Sequence, residues 1–325
     1  MTQTTGGAAP SHPLLVAPVA PTLAKLAAPN LLGMLATTAV SIAETAYIGR
    51  LGAEPLAAAA LVFPLVMLMG MMSAGAMGGG VSSAVSRALG AGATERAEAL
   101  ARHGAVIGLG LGLFFSIVLS LFGRGMFALL GGDGETLRQA VIYSNIVFAF
   151  AAAIWLSNMF ASVLRGSGDM VGPSATMLGG AVLQIVLGGA LCFGWGPAPQ
   201  LGIIGVGLGQ AASATFMAVV LFLLLRRGKA RVRLHLSGPF TRAHFDDILK
   251  VGLPAMLSPI QTVGTVLVIT AIAARFGVHT LAGYGIGSRL EFLLVPIAFS
   301  VGVASLPMVG LAIGAGDVTR ARTVA

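Results

Sequence analysis

Apolar residues in this chain gather into eight blocks of about 20 residues or more, each long enough to cross ~30 Å of hydrocarbon as a helix. The blocks fall at about 27–48, 58–86, 103–123, 139–163, 174–196, 203–225, 251–274 and 283–312. Between them lie the breakers: GRLGAEP (49–55), RALGAGATERAEALAR (87–102), GRGMFALLGGDGETLR (123–138), RGSGDMVGP (165–173), GWGPAPQ (194–200), the long RRGKARVRLHLSGPFTRAHFDDILK (226–250) and ARFGVHT (274–280). The ~10-residue alternating segments of a membrane β-barrel are absent. The pattern predicts an all-α integral membrane protein.

The blocks also repeat. At an offset of 225, Lys25, Pro29, Arg50 and Gly52 meet Lys250, Pro254, Arg275 and Gly277. After one residue of slippage, LGAGATERAEALA (89–101) meets IGAGDVTRARTVA (313–325). A fixed-period repeat reports architecture. Six spans separate the two starts, an even number, so both copies enter the membrane in the same direction. They are expected to be parallel six-helix repeats related by an axis along the membrane normal. The expected organisation is a flexible tail (1–24), a complete six-helix lobe (25–226), a basic cytoplasmic linker (227–249) and the first two helices of a second lobe (250–325). The chain thus reads as a duplicated protein cut short. Within the linker, Thr241 is expected to cap a short interfacial helix with Phe245, Ile248 and Leu249 on its apolar side.

Composition agrees with the spans. Hydrophobic residues make up 56% and charged residues 9%, with a mean hydropathy of +0.93. A soluble protein carries roughly a quarter charged residues. The net charge of +8 would suggest nucleic acid only if it covered a soluble face. Here the basic residues sit between spans, so no nucleic-acid partner is expected, and the bilayer and a small-molecule substrate are. Counted on alternate sides, fourteen lysines and arginines fall on one side, Lys25, Arg165 and the linker cations among them, and four on the other. The positive-inside rule puts both termini in the cytoplasm. Residues 1–24 hold four prolines and no Lys or Arg, which is not a signal peptide. The single Cys192 allows no intrachain disulfide.

No soluble-enzyme chemistry is visible: no P-loop, no HExxH, no paired cysteines and no serine between correctly spaced glycines. No catalytic residue, metal site or organic cofactor is therefore expected. The runs at Gly108–Gly112 and Gly205–Gly209 read as close helix packing, as does the four-apart face of Gly104, Gly108 and Gly112. Two carboxylates fall inside spans, Glu44 and Glu291. A carboxylate in hydrocarbon costs ~3 kcal/mol or more, so it faces a partner or a wet cavity. Each is either a proton or cation coupling site or a structural hydrogen-bonding group. Arg289 lies two residues before Glu291, about 200° around a helix, so the two do not pair. Asn158, Gln184 and Gln261 are amides within spans, which either line a substrate path or join helices. Trp155 and Phe160 flank Asn158, an arrangement that suits a greasy cation or simply packs.

Several of these segments carry a resemblance. ETAYIGRLGAEPLAA (44–58), LGAGATERA (89–97), LRGSGDMVGPS (164–174), KVGLP (250–254) and AGYGIGSRLEFLLVPIAFSVG (282–302) resemble the multidrug and toxic compound extrusion (MATE) family. The resemblance implies twelve spans in two lobes around a V-shaped cavity, and export of organic, often cationic compounds against inward H⁺ or Na⁺. It implies a monomeric multi-pass protein of the bacterial inner membrane, with no cofactor beyond the coupling ion. Glu44 stands where the family usually has an acid, commonly Asp, before a Thr. Gln184 and Gly188 stand where many members show Asn-x-x-x-Asp, so the second carboxylate is missing. Span 7 lacks the Glu of one subgroup, and its nearest polar residues are Gln261 and Thr262. The alternatives are a flippase for a lipid-linked saccharide, for which Arg289 is the lone basic residue within a span, and a membrane-embedded enzyme, for which the spans offer no cluster of Asp, His or Cys.

Overall fold

The apolar blocks become helices because backbone in hydrocarbon must satisfy its own hydrogen bonds. The computed structural model describes residues 13–325 except 229–230, 236 and 276–277, and at 267, 270, 271, 273–275 and 278–295 it describes backbone alone. No strand occurs among the described residues. After a single turn at Pro13–Val16, α1 (Val19–Leu51) leads into α2 (Ala53–Gly90), which is interrupted by π turns at Met71–Met77. Then come α3 (Thr94–Leu129), α4 (Gly134–Ala149), α5 (Ala151–Gly166), α6 (Val171–Phe193) and α7 (Ile203–Arg227). The linker leads to α8 (Arg242–Ala255), α9 (Leu257–Arg275), α10 (Val278–Gly314) and α11 (Val318–Val324). Among the described residues six helical segments are long and apolar enough to cross a membrane, or seven when α4 and α5 count as one bent span.

The bend between α4 and α5 is 44°, and its cause is visible. The hydroxyl of Ser116 on α3 donates to the carbonyl of Phe148, inserting a side chain into the helical ladder where the chain turns. The glycine runs pack helices together, as their spacing predicts. A Cβ on Gly108 would lie 2.6 Å from Met159, and one on Gly112 would strike the backbone of Ala152, so α3 and α5 touch closely. On α7, a Cβ on Gly209 would lie 2.6 Å from Gly188 Cα of α6. The buried core collects around Trp155, Phe127, Phe148, Met159 and Leu164.

Three expectations need correction. The predicted span at 251–274 does not begin as one helix, because residues 251–255 continue α8 and the chain breaks at Met256 before α9. Pro259 explains the break, since its ring would clash with the carbonyl of Ala255, four residues back. The apolar side of the linker helix is also turned to the protein and not left free for lipid. Ile248 is fully buried, and Phe245 and Leu249 pack against the protein core. Nor does the Thr241 side chain cap α8: its hydroxyl is hydrogen-bonded to His244 Nδ1 at 2.6 Å.

The linker is strapped to α3. Arg102 donates to the carbonyls of Ser237 (3.1 Å) and Pro239 (2.8 Å), and its guanidinium lies 5.4 Å from the Phe240 ring centroid. Gly238 between those carbonyls has φ +137°, and a Cβ there would lie 2.6 Å from Arg102 Nη1; only glycine suits that position. His103, fully buried, donates from Nδ1 to the carbonyl of Ala99 (2.7 Å) and accepts the Thr241 N–H at Nε2 (3.0 Å). Arg96 pairs with Asp247 at 2.5 Å, and Glu98 accepts the Arg233 N–H at 3.2 Å.

Candidate functional site

A cavity of about 790 Å³ opens between α1, α2, α4, α6 and α7. Each helix lines it with one face at three- and four-residue spacing: Thr37, Ser41, Glu44 and Ile48 on α1, Met177, Ala181 and Gln184 on α6, and Gln210, Ser213 and Met217 on α7. Phe63 and Val66 of α2 and Tyr143 of α4 add apolar and aromatic wall.

Glu44 is half-buried in this cavity, and its Oε1 accepts a hydrogen bond from Gln184 Nε2 at 2.7 Å. Across the space, Tyr143 Oη donates to Gln210 Oε1 at 3.4 Å, a long and weak contact. Ser213 spends its hydroxyl on the carbonyl of Gly180 at 2.8 Å. No lysine, arginine or second carboxylate lines the cavity among the described residues. Glu44 is thus a single anionic group among neutral amides, hydroxyls and apolar walls. A carboxylate charge in such surroundings is costly unless a cation or a proton neutralises it.

The other sequence-predicted residues stand apart from this cavity. Asn158 donates from Nδ2 to Ser73 Oγ at 2.8 Å, joining α5 to the π turns of α2. Trp155 is fully buried, with its ring 5.8 Å from that of Phe115. Gln261 is exposed on α9. Glu291 and Arg289 belong to α10, but their side chains lie outside the described residues. Gly188, one turn beyond Gln184, belongs to the α6–α7 contact and not to the cavity wall. Tyr143 and Gln210 escaped the sequence reading. Gln210 is an amide within the predicted span 203–225, so the criterion that selected Gln184 would have found it. Among the described residues no three His, Cys, Asp or Glu side chains cluster to hold a metal.

The MatE family model matches residues 29–189 and 254–325. The chain belongs to the MatE family. Members of that family are transporters rather than enzymes, and the apolar helices fit a multi-pass membrane protein. The chain is 28% identical over 312 residues to a protein of Shewanella oneidensis named FAD transporter, covering 96% of this chain and 69% of the relative. It is 32% identical over 317 residues to the probable multidrug resistance protein NorM of Deinococcus radiodurans, covering 92% and 65%. Against the multidrug export protein MepA of Staphylococcus aureus it is 28% identical, covering 84% and 60%. The chain therefore spans 60% to 69% of the length of these curated relatives.

Solved structures agree. A multidrug resistance MATE-family transporter in an outward-facing conformation superposes with a TM-score of 0.87 at 27% identity, over 96% of this chain and 68% of that one. A MATE structure in a bent conformation gives 0.89 at 27% identity, over 96% and 69%.

Proposed function

We propose that this MatE chain serves secondary antiport, exporting small cationic or amphipathic organic compounds in exchange for H⁺ or Na⁺, with Glu44 as the shared binding group. The observation that carries this reading is the cavity itself. One carboxylate, held by Gln184 and unmatched by any cation in the lining, faces about 790 Å³ of mostly apolar space. A proton or Na⁺ and an organic cation would compete for the same charge. Such competition yields exchange when the loaded and empty forms prefer different orientations. Gln184, Gln210 and Tyr143 offer neutral hydrogen bonds to an apolar cation without adding charge. The names of the NorM and MepA relatives support the substrate class. The fourteen-to-four asymmetry of basic residues supports both termini being cytoplasmic, and the bacterial sources of the relatives support a bacterial inner-membrane location.

A second reading, transport of a flavin dinucleotide, rests on the name of the Shewanella oneidensis relative. The Glu44 cavity favours it less, because a carboxylate with no accompanying cation repels a pyrophosphate. A saccharide-lipid flippase meets the same objection.

The test is ethidium binding to the purified protein, followed by fluorescence anisotropy, with H⁺ and Na⁺ as competitors. Wild type should release ethidium when either competitor rises, and Glu44→Gln should bind weakly and ignore both. A Glu44→Gln protein that binds ethidium and responds to protons as wild type does would overturn the assignment.

A further inference from the structure

A second cavity, of about 460 Å³, is lined by α2, including its π turns, by α5 and by α10. Gly70 borders the Glu44 cavity, while Ala74 and Gly75, one turn on, border this one. Its polarity is opposite. The lining includes Arg165, a residue only 6% exposed. Arg165 Nε has no hydrogen-bond partner, Nη2 reaches only the weak acceptor Met177 Sδ at 3.4 Å, and no carboxylate pairs with the group among the described residues. Ser82 of α2 lines the cavity too, and its Oγ is also without a partner. Arginine does not shed its proton, and a buried charge with no counter-charge is strongly unfavourable. The remaining wall is apolar, from Phe299, Val303 and Leu306. Space is kept free by glycine: a Cβ on Gly79 of α2 or Gly302 of α10 would meet nothing within 4 Å.

We propose that this cavity binds an amphipathic organic anion, its carboxylate, sulfonate or phosphate oxygens on the Arg165 guanidinium and the Ser82 hydroxyl, and its apolar body between α2 and α10 over Gly79 and Gly302. A guanidinium presents paired N–H groups that match such oxygens. The two cavities touch through Met177, which lines the Glu44 cavity and meets Arg165, but neither assignment needs the other. The same chemistry describes a soluble organic anion and an anionic lipid whose headgroup enters from the membrane.

The probe is naphthalene-1-sulfonate, titrated calorimetrically into the full chain purified in neutral maltoside micelles, with 1-naphthalenemethanol as the uncharged control. The sulfonate should bind one site at least tenfold tighter than the alcohol. Arg165→Gln should erase that preference, while Arg165→Lys should retain part of it. Gly79→Leu fills the cavity without touching Arg165 and should abolish binding, so it decides the matter if Arg165→Gln fails to elute as a folded monodisperse species. Equal affinity for sulfonate and alcohol, or sulfonate affinity unchanged by Gly79→Leu, would refute the site. Titration in nanodiscs of phosphatidylcholine with and without phosphatidylglycerol separates the sources. A tenfold loss of sulfonate affinity on adding phosphatidylglycerol assigns the site to lipid headgroups, and unchanged affinity assigns it to soluble anions. A wild type that binds no sulfonate in micelles and retains no phosphatidylglycerol by mass spectrometry also refutes it.

Discussion

Gly90 of α2 and Gly314 of α10 press against each other's helices by the same contact. A Cβ on Gly90 would lie 2.8 Å from Leu311 Cα, and one on Gly314 would lie 2.9 Å from the carbonyl carbon of Arg87. Leu311 precedes Gly314 by three residues, and Arg87 precedes Gly90 by three. Ser86 and Gly310, each four before its glycine, meet between them. The crossing reads the same from either helix, as an isologous two-fold contact does. It joins the starts of the two segments, LGAGATERA and IGAGDVTRA, that match in sequence.

The crossing makes a paired prediction. Gly90→Val and Gly314→Val should each destabilise the protein by about 1–3 kcal/mol through overpacking against backbone that cannot yield. The two losses should be similar, because the contacts are equivalent. Gly110→Val, where a Cβ would meet nothing within 4 Å, should be close to neutral. Thermal unfolding in detergent would measure all three, and a Gly90→Val protein as stable as Gly110→Val would count against the crossing.

Around Glu44 a graded series should appear. Gln184→Ala removes the 2.7 Å hydrogen bond to the carboxylate and should weaken ethidium binding by roughly tenfold, in the range for hydrogen bonds to charged groups. Tyr143→Phe removes only a 3.4 Å contact and should change affinity by less than about twofold. Asn158→Ala leaves the cavity lining intact and should act on stability instead, since it unpairs Ser73 at the π turns. Ethidium titrations beside melting curves separate the two kinds of effect. Loss of affinity with unchanged melting in Asn158→Ala would place that amide on the substrate path after all.

Much of the fold was legible because lipid leaves the backbone few choices: apolar blocks of ~20 residues must be helices. What escaped was local backbone irregularity. MMSAGAMGGG (71–80) contains only small and apolar residues, and nothing in that composition separates π turns from α-helix. The break at Met256 was readable, since Pro259 forbids the Ala255 hydrogen bond, but the apolar run hid it. The candidate site was legible residue by residue and not as a constellation. Glu44 and Gln184 are 140 residues apart, and only packing of α1 against α6 joins them. Asn158 and Gln184 look alike in sequence, yet one bonds helix to helix and the other faces a cavity. Arg165 read as a loop cation because it follows the last apolar residue of its block. Packing of separate helices buries it: its guanidinium reaches Met177 on α6, and the cavity it lines is shared with α2 and α10.

The strap between linker and α3 can be cut from either side. Arg102→Ala removes both carbonyl bonds to Ser237 and Pro239. Gly238→Ala forces a side chain into φ +137° and toward the guanidinium, at a cost of about 1–3 kcal/mol. Either change should speed trypsin cleavage at Arg231 and Arg233. The double variant should fall short of the sum, because Arg102→Ala relieves the clash and leaves only the backbone strain. Additive losses would mean that the two residues do not act on one contact.

The docked linker should also loosen in acid, through His244 on α8, outside the membrane spans. Burial lowers its pKa below the ordinary histidine value, and the nearby His103, Arg96 and Arg102 push the same way against Asp247. A base whose pKa is depressed in the docked form takes up its proton more readily when released. Docking is therefore at full strength above the ordinary histidine range and weakens as pH falls through that range towards the depressed value. Hydrogen exchange of residues 237–249, corrected for intrinsic rates, should show protection declining as pH falls from 7.5 to 5.5. His244→Gln cannot charge, so its protection should vary less over the same interval. If wild type and His244→Gln lose protection in parallel, some other group drives the release and His244 is a bystander.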